Sequence, residues 1–121
     1  MEKPKEILKL ESEWGIQIDH NCYQFTQQNQ ILHLIIKQSI KDLSPIRELT
    51  YLRSFCCFDS EISDLEPLIN LSKLEVLMII GGNIENISPI TNLENLFYLD
   101  LRKNKIKDIS PITNLKNINQ I

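Results

Sequence analysis

Apolar and polar positions along this chain follow two regimes, short local periods up to about residue 30 and one long period from residue 31. In the first regime Ile7, Leu10 and Trp14 recur at spacings of three and four, which predicts a helix over residues 4–14 with one apolar face. Pro4 suits its first turn, and Gly15 suits its end, where a residue that tolerates positive φ is wanted. Ile16-Gln17-Ile18 and Cys22-Tyr23-Gln24-Phe25 then alternate around the polar Asp19-His20-Asn21, a pattern for a short β-hairpin or a pair of extended segments. Gln27-Gln28-Asn29-Gln30 reads as a polar turn.

In the second regime Pro45, Pro67, Pro89 and Pro111 stand 22 residues apart, and aliphatic residues keep a fixed phase to them. Five before each proline comes Ile40, Ile62, Ile84 or Ile106; two before, Leu43, Leu65, Ile87 or Ile109; one after, Ile46, Leu68, Ile90 or Ile112. Four after it stands Leu49, Leu71, Leu93 or Leu115, and seven after it Leu52, Leu74, Leu96 or Ile118. Units this small cannot bury an apolar face alone and gain a core by stacking. Within them Phe55-Cys56-Cys57, Leu77-Met78-Ile79 and Leu99-Asp100-Leu101 carry apolar residues at i and i+2, the mark of short strands. Placing Leu34 and Ile36 inward in the first unit leaves its following turn one residue shorter than the others; the opposite phase would turn His33 into the core.

The series L-x-x-L-x-L-x-x-N-x-I-x-D-I-S-P-I-x-x-L, best copied from Leu96 through Leu99, Leu101 and Asn104 to Ile106, resembles the 22-residue leucine-rich repeats of bacterial internalins. The likeness covers residues 31–121. It implies an α/β right-handed solenoid with parallel strands on a concave face and short 3₁₀ or α turns on the convex side. Residues 1–30, different in pattern, would then be an N-terminal cap of helix and hairpin. The family's asparagine column, which hydrogen-bonds the turn backbone of stacked units, holds Gln38, Ser60, Gly82 and Asn104, so only the last unit keeps the ladder residue. Asp42, Asp64, Asn86 and Asp108 are short acceptors suited to a turn, while Ser44, Ser88 and Ser110 read as N-caps with proline at N1, a series that Glu66 breaks.

Composition adds constraints. A chain of 121 residues has room for about one domain. A net charge of −3 disfavours a general phosphate-backbone binder, so nucleic acid is not an expected partner. No apolar run approaches the ~18 residues of a membrane span, and the charged start Met1–Glu6 lacks the apolar core of a secretory signal. A cytoplasmic location follows as the expectation, with secretion by a signal-independent route left open. Cys22, Cys56 and Cys57 have no C-x-x-C spacing and fit reduced thiols. Gly81-Gly82 lacks the lysine of a phosphate loop. Asp19, His20, Cys22 and His33 do not make a metal site, because a turn points neighbouring ligands apart. No nucleophile-base set, cofactor motif or metal motif is expected.

Function is expected on the outward strand positions. These are His33, Ile35 and Lys37, then Ser54, Cys56 and Phe58, then Val76, Met78 and Ile80, then Tyr98, Asp100 and Arg102. A solvent-facing sheet surface is ordinarily polar, so apolar residues across neighbouring strands predict a protein-binding face with charged rims. The expected role is non-catalytic protein recognition, as an adaptor, inhibitor or host-directed binder. The alternative is a fragment or scaffold part of a larger repeat protein with no binding role of its own. The sequence stops at Ile121 with no amphipathic cap, which is consistent with a fragment, a short protein, or a homodimer through the last repeat.

Overall fold

The computed structural model describes residues 2–113 and 115. Helix α1 spans Lys5–Trp14 and buries Ile7 and Leu10. Pro4 stands at the N-cap, one position before the expected first turn, and Gly15 closes the helix with φ 69° and its N–H on the Glu11 carbonyl at 2.8 Å. The Trp14 indole N–H donates to the Asp42 carbonyl at 2.8 Å, tying α1 to the first convex turn.

The hairpin differs from its expected form. Residues 16–18 make no strand; His20–Cys22 form a 3₁₀ turn, and β1 (Tyr23–Phe25) pairs antiparallel with β2 (Ile31–Ile36). Alternation marks a segment as extended and does not choose its neighbour. Residues 16–18 satisfy their backbone elsewhere, with Gln17 N–H on Gln38 Oε1 at 2.9 Å and Ile18 N–H on Glu11 Oε2 at 2.8 Å. The connection to β2 is a tight turn in which Asn29 takes φ 63°.

Strands β3 (Ser54–Phe58), β4 (Val76–Ile80) and β5 (Tyr98–Asp100) follow in order, each parallel to the one before, giving a five-stranded sheet β1-β2-β3-β4-β5. Register is strict: Leu34, Phe55, Leu77 and Leu99 align across the sheet, as do Ile36, Cys57 and Ile79. Most of the aliphatic columns are buried along the length of the coil, each such side chain contributing about 1.5–3 kcal/mol. The columns weaken at the last described unit, where Ile106 is half-buried and Ile109 is exposed, because no further unit among the described residues stacks on it. Ile118 and the chain end at Ile121, where an open edge is expected, lie outside the described residues.

The short first turn is explained by one backbone position. Later strand exits each place a left-handed residue eight before the proline: Asp59 at φ 51°, Gly81 at 89° and Lys103 at 62°. Between Ile36 and Ile40, both buried, no residue has positive φ. The residue absent from the first unit is the left-handed one.

Convex turns are 3₁₀ segments at Ser44–Ile46, Glu66–Leu68, Ser88–Ile90 and Ser110–Ile112. Their caps correct the expectation. The serines do not cap; Ser44, Glu66, Ser88 and Ser110 are themselves the first turn residues. Their backbone N–H groups donate to Oδ1 of Asp42, Asp64, Asn86 and Asp108 at 2.9–3.0 Å. Glu66 therefore breaks nothing, since Asp64 does the work, and Glu66 forms an inter-repeat ion pair with Arg47 at 2.7 Å.

Candidate functional site

Alternation along the parallel strands sends Leu34, Phe55, Leu77 and Leu99 inward and their neighbours to the other face. On that outer face Ile35 and Phe58 are exposed, at 37% and 36%, while Cys56, Val76, Met78, Ile80 and Tyr98 are half-buried against one another. Ile35, Cys56 and Met78 share one row across β2, β3 and β4, and Phe58 and Ile80 share the next. Neighbouring strands are about 4.8 Å apart, so these rows form one apolar surface. Lys37, just past β2, is exposed beside it.

At the end near the cap the surface deepens into a hollow of about 390 Å³ lined by Asn21, Cys22, Tyr23, Gln24, His33, Ile35, Ser54, Cys56 and Val76. His33 and Ser54, aligned on adjacent strands, share a hydrogen bond of 2.6 Å between Nδ1 and Oγ. Asn21, Tyr23 and Gln24 are the residues sequence reasoning missed. Pairing of β1 with β2 brings this stretch to the hollow, with Gln24 opposite the outward His33 and Tyr23 opposite the inward Leu34 at its floor. Burial raises the Cys56 thiol, and burial followed by neighbouring Cys56 pushes Cys57 up to about 12. Neither thiol is poised as a thiolate nucleophile or ligand. Among the described residues no group of three His, Cys, Asp or Glu side chains could hold a metal ion.

The other end carries a correction. Asp100, placed with the solvated rim by its strand position, is 0% exposed. Arg102, two residues on and 58% exposed at its side chain, closes over it. Its Nε and Nη2 donate to the two carboxylate oxygens at 2.8 Å each. The hydrogen bonds from Arg102 hold the Asp100 carboxyl below its ordinary range, against the opposing effect of burial. Alternation assigns a face; it does not say that a long side chain at i+2 will cover its neighbour. The rim cation that results is an arginine fixed in orientation by a planar, two-point contact.

Behind the face, the asparagine column sets how tightly strand exits stack. Asn104 Nδ2 donates to the carbonyls of Ile79, Leu101 and Arg102 at 2.8, 3.0 and 3.3 Å, and its Oδ1 accepts from Ile84 N–H at 3.2 Å. Gly82 leaves the space this requires, since a Cβ there would lie 2.8 Å from Asn104 Oδ1 and 3.0 Å from the Ile62 carbonyl. Ser60 accepts from Ile62 N–H at 3.2 Å and donates to the Gly81 carbonyl at 3.1 Å, a shorter substitute for the asparagine. Gln38 holds the cap at Gln17 instead.

No family model matches the chain, and no curated protein matches it. Solved structures do. An internalin (inlF) from Listeria monocytogenes superposes at a TM-score of 0.65 with 31% identity, over 70% of this chain and 26% of that one. Internalin C2 from the same organism gives 0.62 and 36% identity, over 69% and 38%. The leucine-rich repeat ectodomain of the receptor kinase SOBIR1 from Arabidopsis thaliana gives 0.72 over 100% of this chain and 78% of that one, at 16% identity, a likeness of fold alone. The chain thus spans well under two thirds of the length of either internalin. Its repeat period, its turn chemistry and these likenesses make the chain an internalin-like leucine-rich repeat protein.

Proposed function

We propose that this protein recognises a protein partner, without catalysis, through the concave face of its sheet. Leucine-rich repeat proteins generally serve as interaction modules, which supports the class. The observation that carries the particular reading is the apolar surface spread over β2, β3 and β4, where a solvated sheet would be polar. Phe58, Met78, Ile80 and Tyr98 would supply affinity as apolar anchors, and Lys37 and the clamped Arg102 would set orientation. Residues 1–30 would act as the cap that covers the first repeat. Among the described residues no helix is long and apolar enough to cross a membrane.

The test is Met78→Asp with Tyr98→Asp, both on half-buried outward positions. Circular dichroism should be unchanged, and a partner captured by the wild-type chain should lose at least tenfold in affinity. Ile69→Asp, an exposed residue following a convex turn, is the control and should bind normally. Equal loss in the control, or undiminished binding by the concave variant, sinks the reading.

A further inference from the structure

Charge along one flank of the solenoid is ordered by repeat. The strand exits of the second, third and fourth repeats stack in register, with Asn83 N–H on the Ile62 carbonyl at 2.7 Å and Lys105 N–H on the Ile84 carbonyl at 2.9 Å. Three rows of outward positions result: Asp59, Gly81 and Lys103; Glu61, Asn83 and Lys105; Ser63, Glu85 and Lys107. All the charged members are exposed. The second repeat therefore presents two anions, the fourth three cations, and the third separates them by a nearly neutral strip. Corresponding positions in the second and fourth repeats lie about 9.6 Å apart, two strand spacings. Among the described residues none of these side chains forms an ion pair.

A flank with opposite charges at its two ends and a neutral centre is complementary to itself under a two-fold rotation. With the axis lying in the interface along the third repeat, Glu61 of each copy faces Lys105 of the other, Asp59 faces Lys103 and Ser63 faces Lys107, while Gly81, Asn83 and Glu85 lie on the axis. Each contact off the axis occurs twice, as an isologous interface requires. We propose that this protein forms a weak, salt-sensitive homodimer through the flank of its second to fourth repeats, with the two solenoids antiparallel. This contact is separate from the concave face and from any end-to-end stacking on the last repeat, and it does not rest on the concave-face reading. The occupant is a second copy because the charge order reverses along the flank; an acidic partner segment would use the cations and leave Asp59 and Glu61 without a role.

The experiment is sedimentation velocity on the full chain. At about 0.01 M salt, where the Debye length is about 30 Å, a dimer should be seen, and at about 1 M, with about 3 Å, it should disappear. Glu61→Lys and Lys105→Glu should each sediment as monomers, because each variant sets like charges opposite twice. Mixed in equal amounts, the two variants should form a dimer again, since both contacts between positions 61 and 105 then join opposite charges. That rescue also shows that both variants are folded. A wild-type chain that stays monomeric up to about 1 mM, the range of weak association, overturns the proposal. So do single variants that still dimerise, or a mixture that does not. A monomeric wild-type chain that retains a poly-glutamate peptide, with the retention lost in Lys105→Glu, would assign the cations to an acidic partner instead.

Discussion

The two ends of the solenoid solve the same problem with different chemistry. At the first repeat the strand exit is one residue short, has no left-handed position, and uses Gln38 to hold the cap, which in turn buries Ile7 and Leu10 of α1. At the fourth repeat the exit is full length, turns at Lys103, and is sewn to the third by two hydrogen bonds of Asn104, to Ile79 and from Ile84, while two more close its own turn. Both ends share the buried aliphatic columns, but one is covered by a non-repeating segment while the other keeps the polar stitching of the repeat itself. The difference teaches that a degraded repeat can persist where something outside the series takes over its lost contacts. Each end also carries a carboxylate locked by a cation: Glu11 with Lys3, and Asp100 with Arg102.

If the first end depends on packing, Leu10→Ala should give the largest effect, about 2–5 kcal/mol of destabilisation in urea unfolding, with amide exchange quickening first in residues 16–36. Should Leu10→Ala leave exchange in β1 and β2 unaltered, the cap is not what holds that end. Next comes Gly82→Ala. Its Cβ would displace Asn104 Oδ1 and press on the Ile62 carbonyl, so a loss of about 1–3 kcal/mol is expected, with faster exchange at Ile84 and Lys105. A neutral Gly82→Ala would show that the polar stitching is looser than its distances imply.

The smallest effect sharpens the symmetry of the locked carboxylates. Both are depressed in the fold: Glu11 first by the Lys3 hydrogen bond and then by Ile18 N–H, Asp100 by Arg102. A depressed folded value means the stabilisation is complete above the unfolded values, about 4.3 for Glu and 3.9 for Asp, and is lost as pH falls through the folded ones. Asp100→Asn should therefore cost under about 1 kcal/mol at neutral pH and flatten the decline in stability below pH of about 4. An unchanged acid slope would show that Asp100 titrates alike in both states.

Much of this was legible in the sequence, and for a definite reason. Burial at a fixed period leaves a record in residue type, so the columns through Ile40, Leu43 and Ile46 could be read directly, as could the missing residue before Ile40. The turn acceptors Asp42, Asp64, Asn86 and Asp108 were visible for the same reason. What stayed hidden depends on choices between neighbours. Alternation in Tyr23-Gln24-Phe25 did not say that β2 would be its partner, and so concealed the part that Asn21, Tyr23 and Gln24 play in the hollow. Nor did it say that Arg102 would fold back over Asp100. Side chains that could each cap a turn, such as Ser110 and Asp108, were separable only by geometry.

The edge strand β1 has a consequence for colloidal behaviour. It is three residues long, and its pairing with β2 slips between Gln24 and Phe25. An open sheet border recruits strands from other molecules in proportion to its length and flatness. By ending the parallel series with a short, bulged, antiparallel piece, the chain gives fibril-like growth little to template at that border. Extending β1 or straightening its bulge would be expected to make the chain prone to cross-β assembly.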